Sequence, residues 1–522
     1  MQEPTERQTH GELRASPHGE ITPAQVEEEA TLRRAAIDWK QVAILSVAGC
    51  GPASVIALNL QFMGQFAGTA LVLAFVLVWP GILLLVNTFA EFSKRLPTSG
   101  GLYTWNSRAW GVNVGFVYGW TFIGAYLVFS AAGFAVFGGW VEEWLKAQFH
   151  VHAPWWIFTF LALAYVCTLA YLGITQSLHA ALTLLGFEMV VLTALAVWIF
   201  IDGPKTGPSF GLLPFHVSSA GTLGWGGIGL AMTYAVLSHV GIEEGATLGL
   251  EVKDPKRGIP RGLWVAAIVV PVFYVVISYA MVYGYGADKM KQFGVDPAPL
   301  QTIAQSYWGQ FGLFIVVLAT VSSILAFSQT AFIAGARVLY TLGREQVLPS
   351  VLGRVSARQT PGVAIAVMGV LSMALGVPLA FLTGPFNVWG YFGFLISIAF
   401  LVSYTFTNLG LIRYTRAIGE FHWFRHGVLG LVGSVVFLYP LYKTVWPLQS
   451  GIYGALPFVY VGWIVVGVGL MLHTRSRRPE VMERIGSSLA EGDDPTVESA
   501  TSHAVPASTR ERRRSTELAE EA

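Results

Sequence analysis

Long apolar runs separated by short polar segments fill the chain between residues 41 and 474. A bilayer core of about 30 Å requires about 20 apolar residues in one helix, and runs of that length recur twelve times. The pattern therefore predicts an all-α polytopic membrane protein with twelve transmembrane helices. The spans are expected at about 42–64, 69–90, 112–142, 155–173, 177–201, 223–250, 262–285, 311–341, 362–383, 387–412, 427–446 and 452–473.

The composition supports the same class of protein. The 522 residues are 54% hydrophobic and 12% charged, against about 25% charged residues in soluble domains. Only 32 of the 63 charged residues lie in the 434 residues from 41 to 474, too few to solvate a surface of that size in water. A soluble enzyme and a disordered scaffold are therefore excluded, and a net charge of +1 gives no reason to expect a nucleic-acid partner.

The polar segments divide the chain into domains. Residues 1–40 and 475–522 are rich in polar and charged residues and have little to bury, so both are expected to be disordered tails. Residues 41–474 between them form the predicted transmembrane domain. Within this domain, the stretch 286–310 is too polar to span and is expected to form a structured surface loop.

Lysine and arginine are distributed unevenly over the predicted loops. If the chain starts in the cytoplasm and alternates, the cytoplasmic flanks hold 20 of these residues, Arg337 among them, and the external loops hold five. Because positive residues concentrate on the cytoplasmic side of membrane proteins, this ratio predicts that both termini are cytoplasmic. One missed or extra helix would disturb the alternation.

Helix-breaking residues interrupt two of the spans. Gly49-Cys50-Gly51-Pro52 lies near the middle of span 1, and Gly241 and Gly245 enclose two glutamates in span 6. Glycines are also common where membrane helices pack closely, and either cluster alone is better explained in that way. The positions match, however, because spans 1 and 6 open two successive blocks of five helices. Since five is odd, the second block enters from the opposite side, which predicts inverted repeats around a transport site.

A pair of broken helices offers complementary chemistry. The N-terminus of one half-helix presents free N–H groups and the positive end of a dipole, which suit a carboxylate. The C-terminus of the other half-helix presents free carbonyl groups, which suit an ammonium group. We therefore expect a zwitterionic ligand, with its carboxylate near Gly51 and its amine near the carbonyls from Ser238 to Val240.

Three segments of the sequence resemble the amino acid–polyamine–organocation (APC) permeases. The segment EFSKRLPTSGGLYTW, residues 91–105, is similar to the loop after their second helix. HVGIEEGATLGLEVKDPKRGIPRG, residues 239–262, resembles their sixth helix and the following loop, and ARVLYTLGREQVLP, residues 336–349, resembles the end of their eighth helix. The order and spacing agree over about residues 40–474.

The resemblance implies a leucine-transporter-like fold, with 5+5 inverted repeats at about 42–201 and 223–412 and two extra helices at about 427–473. It also implies transport of amino acids or related amines, by proton symport or exchange rather than by ATP hydrolysis. Carried over by position, it implies a substrate site made of Gly49, Cys50, Gly51, Ser238, His239, Val240 and Gly241.

Two residues depart from the family pattern. Pro52 lacks an N–H that a carboxylate could otherwise use. His239 stands where many APC permeases have an apolar residue. It could bond the substrate or titrate near neutral pH; the alternative is a neutral histidine that is satisfied by a backbone carbonyl.

Two acidic residues within spans are candidates for proton coupling. Glu188 aligns loosely with a position in helix 5 where some proton-coupled relatives have a lysine facing helix 1, and a buried carboxyl group can exchange a proton during transport. A carboxyl group hydrogen-bonded between helices is the alternative. For Glu243, gating or coupling is weighed equally against capping of free N–H groups. Tyr391 and Phe392 are candidates for an aromatic gate, and Gln329 for the cavity lining.

The leading hypothesis is secondary active transport of an amino acid or amine across the cell membrane, by proton-coupled uptake with alternating access. An exchanger of the same fold is the alternative, and no sequence feature separates the two. A major-facilitator transporter is disfavoured because such proteins usually have a Gly- and Arg-rich motif after helix 2, whereas this loop reads KRLPTSGG. A channel is disfavoured because it would not need paired broken helices. Only His179 and His239 of the 11 histidines lie clearly within spans, so we expect no enzyme, metal or cofactor.

Overall fold

The computed structural model describes residues 36–205 and 211–487. This described part is helical, with one isolated bridge and no strand. It contains twelve helices that are long and apolar enough to cross a bilayer, which confirms the predicted class of membrane protein and the number of spans. Most of the two predicted tails, residues 1–35 and 488–522, lies outside the described residues.

The spans begin and end close to their predicted positions. Span 1 is divided into Trp39–Gly49, Pro52–Leu58 and Leu60–Ala67, and Gly68, at φ 53°, turns the chain into span 2. Spans 2 to 12 are Leu71–Arg95, Val112–Phe149, Trp155–Leu172, Ile174–Asp202, Gly224–Leu237 with the 3₁₀ segment Ile242–Leu248, Pro255–Tyr285, Pro299–Arg344, Gly362–Thr383, Pro385–Ala417, Leu429–Val445 preceded by the π-helical turn Trp423–Val428, and Ile452–Arg477.

Spans 1–5 and spans 6–10 pack in the same pattern. Span 1 packs on span 7 as span 6 packs on span 2, and span 5 packs on span 8 as span 10 packs on span 3. Spans 2 and 7 contact each other directly, and so do spans 3 and 8, as a twofold relation requires. The fold is therefore the predicted pair of five-helix repeats. Span 11 packs outside them on spans 2 and 10, and span 12 packs on spans 3 and 10.

Burial places spans 1 and 3 at the centre of the bundle. In each of them 89% of the most apolar window is buried, against 22% in spans 4 and 12. The outer spans expose apolar side chains such as Leu161 and Val465, which suits contact with lipid because every backbone polar group is satisfied within the helix. A site at the middle of span 1 is consequently enclosed by protein on all sides.

Span 1 starts at a capping box. The Asp38 side chain accepts hydrogen bonds from Lys40 N (2.8 Å) and Gln41 N (3.3 Å), and Gln41 Oε1 accepts one from Asp38 N (2.7 Å). These bonds satisfy free amides of the first turn. Just before the helix, Ile37 N donates to the Glu251 carbonyl at 3.2 Å. The prediction of a disordered N-terminal tail is therefore wrong for residues 36–40, which are held by these contacts.

The prediction of a disordered C-terminal tail is wrong for residues 475–487. Span 12 continues into this segment, and Pro479–Glu483 forms a further short helix. The side chain of Met482 is buried, and Arg108 Nε donates to the Gly486 carbonyl at 2.7 Å. A few apolar side chains among the charged ones are enough to hold this segment against the bundle, which an average over composition does not reveal.

The polar stretch 286–310 is ordered, as expected, and much of it is helical. Met290–Phe293 is a short helix, and Pro299–Arg344 begins within the stretch. Gly309, at φ 64°, kinks this long helix. The kink explains the length of span 8, because the residues before Gly309 form a separate segment from the part that crosses the bundle.

Candidate substrate-binding site

The interruptions of spans 1 and 6 lie side by side at the centre of the bundle. Gly51 has φ 57° and Gly241 has φ 110°, backbone conformations that favour glycine. A Cβ atom on Gly241 would stand 2.3 Å from the carbonyl carbon of Gly49. The backbones of spans 1 and 6 therefore approach this closely only because both residues lack side chains. The structure brings the whole predicted set together, and every member is buried: Gly49, Cys50, Gly51, Ser238, His239, Val240 and Gly241.

Local contacts fix the two interruptions. Pro52 starts the second half-helix of span 1, because its fixed φ suits the first helical position and it has no N–H to leave unpaired. The Cys50 thiol donates to the Ser46 carbonyl at 3.2 Å and lies 3.7 Å from the His239 carbonyl. This thiol therefore links the helix before one interruption to the backbone of the other.

Tyr274 of span 7 joins the two interruptions. Its hydroxyl group lies 2.8 Å from the Cys50 carbonyl and 2.9 Å from the Ser238 carbonyl, as a donor to both. These carbonyls belong to the unwound backbone, where no helical N–H reaches them. The sequence does not single out this residue, because span 7 contains several tyrosines and nothing in their spacing distinguishes one of them.

Glu188 of span 5 occupies the start of the second half-helix of span 1. Its Oε2 accepts a hydrogen bond from Ala53 N at 2.8 Å. Ser323 Oγ accepts one from Ser54 N at 3.0 Å and lies beside the same carboxyl group. Because Pro52 has no N–H, the free amides of this half-helix are already bonded. Near Gly51, where a substrate carboxylate is expected, the structure thus places the carboxyl group of Glu188.

His239 lies in the interruption of span 6 with one ring nitrogen bonded. Its Nδ1 is 2.7 Å from the Ala235 carbonyl, and since a carbonyl only accepts, Nδ1 carries the hydrogen. Nε2 is buried and has no hydrogen-bond partner among the described residues. The rings of Phe75 and Tyr274 stand against the imidazole at centroid distances of 6.4 and 5.2 Å. The backbone bond matches the alternative reading of this histidine, and the free nitrogen leaves it able to accept a further bond.

Glu243 bonds both to its own backbone turn and to two tyrosines. Gly241 N donates to Oε2 at 3.1 Å, which is the predicted cap. Tyr404 OH of span 10 donates to Oε2 at 2.7 Å, and Tyr126 OH of span 3 donates to Oε1 at 3.4 Å. The neighbouring Glu244 is also fully buried, and its Oε2 faces Gly49. Glu243 thus connects span 6 to spans 3 and 10.

The centre of the bundle carries acidic groups without cations. Glu188, Glu243 and Glu244 are all fully buried, and within the described ranges none of them forms an ion pair with lysine or arginine. An uncompensated buried carboxylate is costly, so such groups hold protons or face a bound cation. The described residues contain no group of three or more His, Cys, Asp or Glu side chains placed to hold a metal ion.

A buried ion pair closes the end of the bundle at which span 1 starts. Arg337 Nη2 lies 2.7 Å and Nε 2.9 Å from Glu251 Oε2, and the Glu251 carbonyl also receives the Ile37 N–H. Burial raises the pKa of Glu251, and the adjacent guanidinium opposes this shift. From the sequence, Arg337 is expected among the loop cations. The structure instead places it inside span 8. It can be buried there because Glu251, from the loop after span 6, neutralises its charge.

Three further candidates lie away from the interruptions. Gln329 Nε2 donates to the Ser177 carbonyl at 2.7 Å and so ties span 8 to span 5. Tyr391 stacks edge-on against Tyr453 of span 12, and Phe392 lines an apolar cavity of about 430 Å³ between spans 3, 9, 10 and 12. The aromatic ring that covers Gly51 is instead Phe327, whose Cδ1 would lie 3.0 Å from a Cβ at that glycine.

Known proteins are similar to this chain in sequence over most of its length. The family model described as amino acid permease matches residues 37–471. The branched-chain amino acid permease BcaP of Lactococcus lactis is 23% identical over 447 residues, which cover 81% of this chain and 91% of that protein. The low-affinity putrescine importer PlaP of Escherichia coli K12 is 25% identical over 349 residues, 65% of this chain and 72% of that one.

The fold and the family match define a multi-pass membrane transporter. The chain belongs to the amino acid permease family of the APC superfamily, as the three sequence segments indicate. Members of this family are transporters and not enzymes, which agrees with a central site built from backbone groups and isolated acids rather than from clustered catalytic residues.

Proposed function

We propose that this protein is a secondary active transporter of amino acids or related amines across the cell membrane, coupled to protons and working by alternating access. The observation that carries the proposal is the meeting of two interrupted spans at a buried centre, which presents unwound carbonyls and carboxyl groups. Transporters of this plan bind substrate where paired helices are interrupted. The names of the relatives, a branched-chain amino acid permease and a putrescine importer, support both substrate classes.

The substrate is held by the seven predicted residues of the two interruptions. The Cys50 and Ser238 carbonyls have lone pairs beyond the one hydrogen that Tyr274 supplies, so they can accept bonds from a substrate amine. Small residues at Gly49 and Gly241 keep the two backbones close. The domain assignment follows: residues 41–474 form the permease, and the excess of Lys and Arg at one end of the bundle supports cytoplasmic termini.

Glu243 is the group that we assign to the coupling proton. As a carboxylate it accepts hydrogen bonds from Tyr404 and Tyr126, and as a carboxylic acid it can donate to either hydroxyl oxygen. It therefore has partners in both protonation states. Because its tyrosine partners lie on spans 3 and 10, protonation alters bonds between span 6 and the helices that close over the site.

Exchange is the second candidate function, and Glu188 is the observation that favours it. A single buried carboxylate can neutralise one proton or one substrate ammonium group at a time. If the protein changes conformation only while a substrate ammonium group neutralises Glu188, entry of one substrate molecule is linked to exit of another, which produces exchange rather than symport.

Uptake into proteoliposomes that contain the purified full-length protein tests these proposals. Labelled leucine, lysine, putrescine and isoamylamine are supplied with an inward proton gradient, with a sodium gradient, or with internal substrate only. Proton-coupled transport gives accumulation only with the proton gradient, and exchange gives uptake only with internal substrate. No saturable uptake of any compound would contradict the assignment as a transporter of these substrates.

The Glu243→Gln variant tests the proton assignment. It is expected to lose at least about tenfold of gradient-driven uptake while still exchanging external for internal substrate, since the amide cannot carry a proton. Glu143→Gln, at an exposed position near the end of span 3, is the matched control and keeps both activities. Gradient-driven uptake that is unchanged in Glu243→Gln would contradict the assignment.

A further inference from the structure

We propose that the central site selects primary amines that lack a carboxylate, because Glu188 already provides the carboxylate that an amino acid would bring. In this arrangement, the substrate ammonium group binds between Glu188 and His239. The proposal rests on the transport function proposed above and specifies its substrate class.

The interruption of span 1 leaves no backbone N–H free for a substrate carboxylate. In the interruption of span 1, Gly51 N donates to the Ala48 carbonyl at 3.0 Å. Pro52 has no N–H, and Ala53 N and Ser54 N are bonded to Glu188 and Ser323. From Val55 onwards the helix bonds to itself, starting with Val55 N to the Gly51 carbonyl at 2.9 Å. A zwitterionic ligand would have to displace Glu188 before its carboxylate could bind.

Buried hydrogen-bond acceptors at the interruptions are available to a substrate ammonium group. His239 Nε2 has no hydrogen-bond partner among the described residues, and the carboxyl group of Glu188 has only the Ser323 hydroxyl group beside its Oε1 side. Since Nδ1 of His239 carries its hydrogen toward the Ala235 carbonyl, Nε2 presents a lone pair. Both side chains are fully buried. Buried acceptors without partners are costly, and an ammonium group supplies three donors at once.

These acceptors belong to one neighbourhood. The Tyr274 ring packs against the His239 imidazole, and the Tyr274 hydroxyl reaches the Cys50 carbonyl. Three residues further on, Ala53 N bonds Glu188 Oε2. Glu188 and His239 therefore flank the same short segment of unwound backbone, residues 50–53, where we place the ammonium group.

The negative charge of Glu188 favours an amine over a zwitterion. Glu188 forms no ion pair with a described lysine or arginine, and the two other acids beside the interruptions, Glu243 and Glu244, add no positive charge. A monoamine neutralises Glu188 on binding. A zwitterion places a second carboxylate beside the first, and like charges brought together in a dry site repel strongly. We therefore expect amines to bind at least about 100-fold more tightly than the amino acids from which they differ by one carboxyl group.

The test compares matched pairs of ligands on the purified full-length protein in detergent. Isoamylamine is compared with leucine, and phenethylamine with phenylalanine, since each pair differs only in the carboxyl group. Dissociation constants are measured by calorimetry and by competition. A preference for the amine of about 100-fold or more supports the proposal, and any smaller preference, or a preference for the amino acid, overturns it while leaving the transport function intact. If neither member of either pair binds, both proposals fail.

Variants then locate the selectivity. Glu188→Gln is expected to reduce the preference for amines at least about tenfold, because the amide removes the negative charge and keeps the shape. Glu143→Gln serves as the control for loss of one carboxylate elsewhere and keeps the wild-type preference. A Glu188→Gln variant that binds with the wild-type preference would show that another group rejects the carboxylate, which overturns the proposal. Because the wild-type comparison uses no variant, the outcome does not depend on the folding of Glu188→Gln.

Discussion

Replacing Arg337 by methionine is expected to destabilise the protein strongly. The side chains of Arg337 and Glu251 are only 7% and 5% exposed, and two guanidinium nitrogens lie within 2.9 Å of Glu251 Oε2. Methionine keeps much of the length of the arginine side chain and removes its charge. The change leaves Glu251 buried without a cation, and removing one partner of such a pair costs about 3–5 kcal/mol.

The loss in Arg337→Met depends on pH with a defined sign. Burial raises the pKa of Glu251, and Arg337 opposes that shift, so without the guanidinium the pKa rises further. A raised carboxyl pKa means that the folded state binds the proton more tightly than the unfolded state, so stability increases as the pH falls through the folded pKa. The variant should therefore recover part of its loss as the pH is lowered toward the ordinary pKa of a glutamate side chain, and the wild type should recover less.

Unfolding in mild detergent, followed by the fluorescence of the 17 tryptophans, measures this effect. The double variant Glu251→Gln/Arg337→Met is the control, because it removes both charges. It should be more stable than Arg337→Met at about pH 8, since no unpaired charge is left in the bundle. A loss below about 1 kcal/mol in Arg337→Met, or a double variant no more stable than the single one, would refute the reasoning.

Three further predictions concern the centre and the C-terminal segment. Gly241→Ala should abolish substrate binding, because its Cβ would stand 2.3 Å from the facing backbone of span 1 and its φ is 110°, whereas Gly226→Ala, with open space around it, should bind normally. Tyr274→Phe should lower the transport rate about tenfold in the liposome assay, since it leaves two buried carbonyls without their shared donor; a rate within twofold of wild type would contradict this role. Met482→Asp should lower the thermal midpoint in detergent by placing a charge where the side chain is 5% exposed; an unchanged midpoint would show that the segment is held by its other contacts.

The sequence predicts the spans and the two interruptions because both are recorded locally. A span is a run of apolar residues of fixed length, and an interruption at Gly49–Pro52 is a cluster of residues that do not continue a helix. The pairing of spans 1 and 6 followed from counting helices, since two blocks of five enter from opposite sides. Glu188 stood out as a charged residue within a span, and the structure places it against span 1.

The partners of these groups could not be predicted, because they come from distant parts of the chain. That Glu188 reaches Ala53, 135 positions away, depends on how span 5 packs, which its own periodicity does not contain. Tyr274 is one aromatic residue among many in apolar helices. Arg337 lies near the end of a long span, where a charge in a loop and a charge inside the bundle look the same in sequence.

The hydroxyl group of Tyr274 donates its single hydrogen to two carbonyl oxygens, one in each interrupted span. As long as spans 1 and 6 stay side by side, the two oxygens can share it. When the spans separate by more than an ångström or so, the hydrogen must stay with one oxygen, and the other becomes free to accept a bond from a ligand or from water. Any relative movement of the two repeats would thereby change the number of open acceptors at the centre of the protein.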